Sequence, residues 1–402
     1  MANNVVSRSF NQAVTETVQK RVFVGENDIL LNPNLTPLFA ISTRLNGRKP
    51  VNSVRIEWVE DDFLPHWGQV TNGTTDLSSV ATGIPVVDAT LFAVNDIVAI
   101  PKAASSSAGE EEVLVTSISG STLTVTRGIG GAGADTIGAT ADLRIVGSAY
   151  TEGSAFGTVR STTKSVQISY CQIFREPVKV TKTMAAQAQF GAENERMFQR
   201  RKALEQYNKQ IESQLYFGRA SESLASPTSR WTTMGVKPRI TTNVYNANTT
   251  LTASGMMSFA ETAFSKYYEG NEKVLIAAPR VVSAFDAVAN NVLRLAPTDD
   301  IFGVKVKRYV TDHGDFLIIR NLLMENSPNS GLGWGDEAFA LDMKSIELHP
   351  LSGNGENRDT ALLTDVIKDG TDVYADEYLG QIGAVIRFEK RSARLYNCSA
   401  TS

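Results

Sequence analysis

Between residues 185 and 217, apolar and polar positions repeat with the period of one long helix. Phe190, Met197, Leu204 and Ile211 recur every seventh residue, and Tyr207 and Leu215 fill the alternate turns. That spacing draws an apolar stripe along a helix. Arg200, Arg201, Lys202, Glu205, Gln206, Lys209 and Gln210 form a wet opposite face. Good helix formers dominate and proline is absent. Gly218 stands where a left-handed C-terminal cap would sit, and Gly191 would divide a short lead-in from the main helix. At about 1.5 Å per residue the span would reach roughly 50 Å. A helix so long, between β-rich stretches, predicts a strut laid on a sheet.

The period changes on both sides of this helix. Residues 51–61 alternate, with Val54, Ile56 and Trp58 on one side and Arg55 and Glu57 on the other, as in a half-buried strand. Their natural partner is 164–174, where Val166, Ile168 and Tyr170 alternate with Gln167 and Ser169. A gap of this length is too long for a loop, so an insert is expected at 72–150. It has strand-like runs at 91–100, 111–119, 121–126 and 143–146, with a glycine turn in SISGSTLTVT and a flexible link in AASSSAGEEE. This composition predicts a small all-β barrel or sandwich at the tip of a long hairpin. Residues 1–46 show only short apolar islands, Val22–Val24, Ile29–Leu31 and Leu38–Ile41, and read as an extended arm packed on other surfaces.

After the long helix the pattern becomes α/β, over about 250–335. Met257, Ala260, Phe264 and Tyr267 mark a helix with Ser254 as its N-cap, KVLIAA (273–278) is a continuous apolar strand, and Pro279 opens a second helix. Strands return at 338–348, 361–367, 371–378, 382–388 and 393–397, and these are expected to lie under the long helix.

The formal net charge is −4, which does not advertise a general affinity for nucleic-acid backbone. Two cysteines, Cys171 and Cys398, make neither a disulfide framework nor a zinc spacing. No run approaches the length of a membrane span, and residues 1–20 lack the apolar core of a signal peptide. GIGGAG (128–133) matches G-x-G-x-x-G, but ADTIGATAD follows instead of a helix, so a turn between strands is expected. Ser161 and Lys164 fit S-x-x-K without its companion elements. Asp61-Asp62, Asp299-Asp300 and Glu110–Glu112 are adjacent carboxylates that a strand would point to opposite faces. His66, His313 and His349 have no metal-ligand partner at short spacing, and Arg280 at a helix start is the one candidate anion contact. The chain therefore carries no enzyme signature, and no cofactor or metal is expected. A loose arm, a projecting hairpin and a strut imply neighbours.

This order of parts resembles the major capsid protein of tailed bacteriophages, with the Hong Kong 97-type fold. The stretches IESQLYFGR (211–219), TLTVTRGIGGAGA (122–134) before EGS (152–154), and GAVIRFEKRSARLYN (383–397) are similar to the short-tailed-phage branch with a β insert in its extended loop. The resemblance implies an α+β chain. Residues 1–46 would be the N-terminal arm, 47–71 the first strand of the extended loop, 72–150 the insert and 151–176 the return strand. A peripheral domain would cover 177–249, with spine helix 185–217; an axial α/β domain would cover 250–335, and 336–402 would return to the peripheral sheet. It also implies pentamers and hexamers closing into an icosahedral shell around double-stranded DNA, assembled in the host bacterial cytoplasm. The partners would be a portal, a separate scaffolding protein and a decoration protein. Packaged DNA would be touched weakly and non-specifically, and no membrane would be involved. The lysine–asparagine–glutamate crosslinking triple of some relatives cannot be mapped onto this sequence. The residues themselves leave open another virion component, such as a tail or decoration protein, and an α/β enzyme with accessory β domains.

Overall fold

The computed structural model describes residues 36–101, 110–131, 133–157, 159–186, 195–223, 229–264, 271–292, 300–301, 304–305, 307–327, 333–366 and 370–400. The chain forms two compact units, one of Met1–Trp58 with Gln167–Ser402 and the other of Val59–Val166.

The first unit holds two principal sheets. In the six-stranded sheet the order is Val244–Thr250, Ala393–Ala400, Ala338–Leu341, Glu272–Ala277, Gly314–Arg320 and Lys307–Thr311. Glu272–Ala277 runs parallel to Gly314–Arg320 and antiparallel to Ala338–Leu341. Such a central strand is covered on both faces, which is why its sequence is continuously apolar. The helices Ala253–Phe264 and Pro279–Val292 cover one face, where Phe259 stacks on Phe316 at 5.6 Å and Phe285 meets Tyr309 edge-on at 6.2 Å, and Tyr216 of the long helix Glu195–Phe217 stacks on Phe339 at 5.9 Å on the other. Pro279 takes the first helical position, as expected, where its missing N–H costs nothing. The cap of the preceding helix is Thr252, whose Oγ1 accepts the Gly255 N–H at 3.1 Å, and not Ser254.

The other sheet is built on the 14-residue strand Val373–Ile386. Gln172–Thr181, Ile346–Pro350 and Ala361–Leu363 all pair with it antiparallel. Residues 377–379 pair with both Ala361–Leu363 and Gln172–Thr181, so those two strands lie on opposite sides and Gln172–Thr181 is an edge. An edge strand tolerates Pro177 because its outer side makes no ladder bonds.

Several expectations are corrected here. The late strands do not all return beneath the long helix: Ala338–Leu341 and Ala393–Ala400 join the six-stranded sheet, as does Val244–Thr250. The expected strand 338–348 is cut in two by a 3-10 turn, Met343–Ser345. There the Asp342 carboxylate accepts the Lys344 N–H at 3.1 Å and turns the chain from one sheet to the other. The expected strand 164–174 is also cut, at Cys171. Ser165–Tyr170 pairs with Arg55–Glu60, while Gln172–Thr181 crosses to the Val373–Ile386 sheet. The arm is not extended throughout, since Pro37–Asn46 is a helix that buries Leu38, Phe39 and Ile41. Its residues 1–35 lie outside the described residues.

The second unit is one six-stranded sheet in the order Trp67–Gln69, Asp142–Ser148, Asp96–Ile100, Glu111–Ser119, Thr122–Ile129 and Gly83–Pro85. It has its own core, in which Ile84, Val115, Leu123 and Leu143 are almost wholly buried. Gly120 closes the tight turn between two strands at φ +60°, a conformation glycine adopts without steric cost. This unit is wider than the expected 72–150: Trp67–Gln69 pairs with 142–144 and so belongs to the same sheet. Its polar interior is paired too, with Arg127 Nε donating to Glu111 at 2.7 Å, and Arg160 held by Asp96 and the Leu91 carbonyl.

Candidate assembly elements

The long helix is described over Glu195–Phe217, with a separate short helix at Lys182–Ala186. Phe190 and Gly191 lie outside the described residues. Tyr207, Ile211 and Leu215 are buried, and Leu204 is partly buried against the same core. Met197 is 59% exposed and is not part of the buried face. A seven-residue repeat drifts about 20° per heptad around a straight helix, and the surface the helix meets also changes along its length. Its first turns meet the Val373–Ile386 sheet through charge. Arg196 donates to both oxygens of Asp376, at 2.8 and 2.6 Å, and Arg200 Nε donates to the same carboxylate at 2.8 Å. Arg200 therefore does not belong to the wet face. Hydrogen bonds from Arg196, reinforced by Arg200, hold the Asp376 carboxyl well below the usual carboxylate range against the opposing effect of burial.

The middle of the helix meets the sheet through Tyr207. Its ring lies 6.4 Å from Phe174 and 6.2 Å from Tyr378, and its hydroxyl occupies the space that a Cβ at Gly380 would need. In the last turns the buried arc widens to include Glu212 and Tyr216. The Glu212 carboxylate accepts the Leu38 N–H at 2.9 Å and the Phe39 N–H at 2.7 Å, capping the helix Pro37–Asn46, whose own Thr36 makes no side-chain cap. The far end of that helix is tied by Asn46 Nδ2 to the carbonyls of Met343 and Ile346, both at 2.7 Å.

Around the strand Arg55–Glu60, Val54, Ile56 and Trp58 are half-buried and alternate with exposed Arg55 and Glu57. Ile56 approaches Gly383 so closely that a Cβ there would overlap it. On the return strand Ile168 and Tyr170 are half-buried, but Val166 is 56% exposed. Ser169, read as outward-facing, is fully buried: its hydroxyl accepts the Met234 N–H at 3.2 Å. The strand therefore does not bury a simple apolar face.

Reading by period missed the buried charges. Lys273, the second residue of the central strand, is 1% exposed and donates to the carbonyls of Ala263 and Arg391, the latter at 2.6 Å. Burial pushes its ammonium down to about 8. Glu337, also buried, takes Lys237 at 2.5 Å and Arg394 at 3.0 Å. Lys273 sits in an otherwise apolar strand and Glu337 just before one, and each takes a partner about a hundred residues or more away, Arg391 for Lys273 and Lys237 for Glu337.

Neither cysteine is bridged; both thiols are buried. GIGGAG stands at the end of a strand, with Gly128, Gly130 and Gly131 all at positive φ, as a turn requires. Among the described residues no group of three His, Cys, Asp or Glu side chains could hold a metal, and no helix is long and apolar enough to cross a membrane.

The sequence matches the family model described as SU10 major capsid protein over residues 11–399. No curated protein matches it. Similar solved structures include the holo-SrpI encapsulin complex from Synechococcus elongatus PCC 7942, at 10% identity, covering 98% of this chain and 96% of that one with a TM-score of 0.49. The Cyanophage A-1(L) capsid is similar at 11% identity, 94% and 98% coverage and a TM-score of 0.48. The capsid of Myoviridae Phage XM1 is similar at 9% identity, 93% and 96% coverage and a TM-score of 0.41. Because the family model spans almost the whole sequence, the chain belongs to the SU10 major capsid protein family: it is a structural subunit of a tailed-phage icosahedral capsid and not an enzyme.

Proposed function

We propose that this subunit closes into pentamers and hexamers around double-stranded DNA, and that apolar side chains on the 59–166 unit are seated on neighbouring copies. The exposure of those side chains supports the reading: Phe156 is 92% exposed, Val80 84%, Phe63 81% and Val159 77%. Large apolar residues left this exposed on one small unit are what a surface covered by another molecule would carry. Under this reading the hairpin carries the unit over an adjacent subunit, the arm grips another, and the six-stranded domain converges at the capsomer centre. The spine helix, through Leu204, Tyr207, Ile211 and Leu215, holds these parts in register. The insert faces outward and contacts a neighbour or a decoration protein. A portal and a separate scaffolding protein complete the assembly in the host bacterial cytoplasm, and DNA is held only weakly, consistent with the net charge of −4.

Electron microscopy of the expressed protein tests the reading. Wild type should give shells with five- and six-fold capsomers. Phe156→Ser combined with Phe63→Ser should give folded subunits that fail to assemble. Shells of wild-type yield from the double variant would rule out these side chains as the contact. Deleting 75–149 without any effect on particle stability would count against a role for the insert.

A further inference from the structure

The capping of Pro37–Asn46 is done by a residue far along the chain, with no cation beside it. Glu212 is fully buried. Its carboxylate faces the Leu38 and Phe39 N–H groups from the arm helix, and Asn321 Nδ2, 3.4 Å away, on the segment after strand Gly314–Arg320. Among the described residues, the one titratable group set against it is Tyr216, one turn along its own helix. The Tyr216 hydroxyl is buried without a hydrogen bond of good geometry. Among the described residues no Lys, Arg or His side chain pairs with Glu212. A carboxylate in such a place is stabilised by the partial positive charge of a helix N-terminus and opposed by the loss of water.

We propose that the proton on Glu212 is a latch for the arm: protonated, the carboxyl lets the helix Pro37–Asn46 stay docked on the spine helix; deprotonated, it favours release of that helix. Two states differ in what surrounds the carboxyl. Docked, it is dry, and burial raises it to about 7 from its ordinary 4.5, against the opposing pull of the two backbone N–H groups. Once the arm helix lifts, water reaches Glu212 and returns it toward the ordinary range. The docked state therefore binds the proton more tightly, and raising the pH between those two values shifts the equilibrium toward release. Above about 7 both states are ionised and the dependence flattens. The latch lies within one chain and does not depend on how copies assemble.

Amide hydrogen exchange of segment 37–46, measured on the dissociated full-length subunit from acid to mildly alkaline pH, reads the latch directly. After correction for the intrinsic pH dependence of exchange, opening in the wild type should rise by up to about tenfold per pH unit below neutrality and level off above it. Glu212→Gln leaves one acceptor and nothing to titrate, so its protection should be weaker but flat with pH. A flat wild-type profile, or a Glu212→Gln profile with the wild-type slope, would overturn the proposal. Should Glu212→Gln not fold, the infrared band of a buried neutral carboxyl in the wild type decides. Its disappearance in step with arm opening supports the latch, and its absence throughout, or its persistence while the arm opens, refutes it.

Discussion

Arg196 lies across the ring of Tyr374 at 4.2 Å while both oxygens of Asp376, two residues on, accept its hydrogen bonds. The first turns of the spine helix are thus fastened to the sheet by a charge pair and not by an apolar stripe. Asp376 is 2% exposed, and removing it takes the carboxylate from Arg200 and leaves Arg196 only Asp365, at 2.9 Å. Asp376→Ala should destabilise the dissociated subunit by about 3–5 kcal/mol in denaturant titrations at neutral pH. The carboxyl is depressed in the folded state, so its contribution is full at neutral pH and is lost as the pH falls through the acid range. Asp376→Asn should therefore remove part of the wild type's acid sensitivity.

The helix offers an internal contrast. Ile211 is 1% exposed and Met197 59%. Ile211→Ala should cost about 2–5 kcal/mol, whereas Met197→Ala and Lys209→Ala should each stay within about 0.5 kcal/mol for the dissociated subunit. Leu204→Asp, at a half-buried position, should destabilise less than Ile211→Asp. Equal losses at Met197 and Ile211 would show that the heptad stripe, and not the observed arc, is the buried face.

Lys273 shifts stability with pH in the same direction as Asp376, but in the alkaline range and not the acid one. Its ammonium is harder to keep charged in the folded state than in the unfolded chain, so the unfolded state binds the proton more tightly at alkaline pH. Stability should rise from about pH 8 toward the ordinary lysine range, by at most about 3 kcal/mol. Lys273→Met should abolish that rise, which thermal unfolding between pH 7.5 and 10, both values chosen around the ordinary lysine range, would register.

Gly380 and Tyr207 form a size-matched pair. Gly380→Ala puts a methyl where the Tyr207 hydroxyl sits and should cost about 1–3 kcal/mol through overpacking. Tyr207→Phe removes the overlapping oxygen. In the double variant it should recover much of the loss, and a double-mutant cycle would register a coupling of about 0.5 kcal/mol or more.

The sequence by itself determined which segments are helices and strands where one period runs unbroken. Glu195–Phe217, Pro279–Val292, Glu272–Ala277 and the hairpin turned at Gly120 were all legible from spacing, proline and glycine. It also carried the family resemblance, through stretches such as IESQLYFGR and GAVIRFEKRSARLYN. Period reports which way a side chain points relative to its own backbone, and that is a local property. What the side chain then meets is not local. Only the tertiary structure decided that Asp342 hands the chain from one sheet to the other, and that Met197 faces water. It alone placed Arg196 against Asp376 and Glu212 beneath the start of the arm helix, partners 180 and 174 residues apart. A charge can be buried only where a distant segment supplies its hydrogen bonds, so these positions have no signature in their own neighbourhood. The exposure of Phe63 and Phe156 has the same character: their composition reads as core, and only the folded unit leaves them on its surface, free to meet a further molecule.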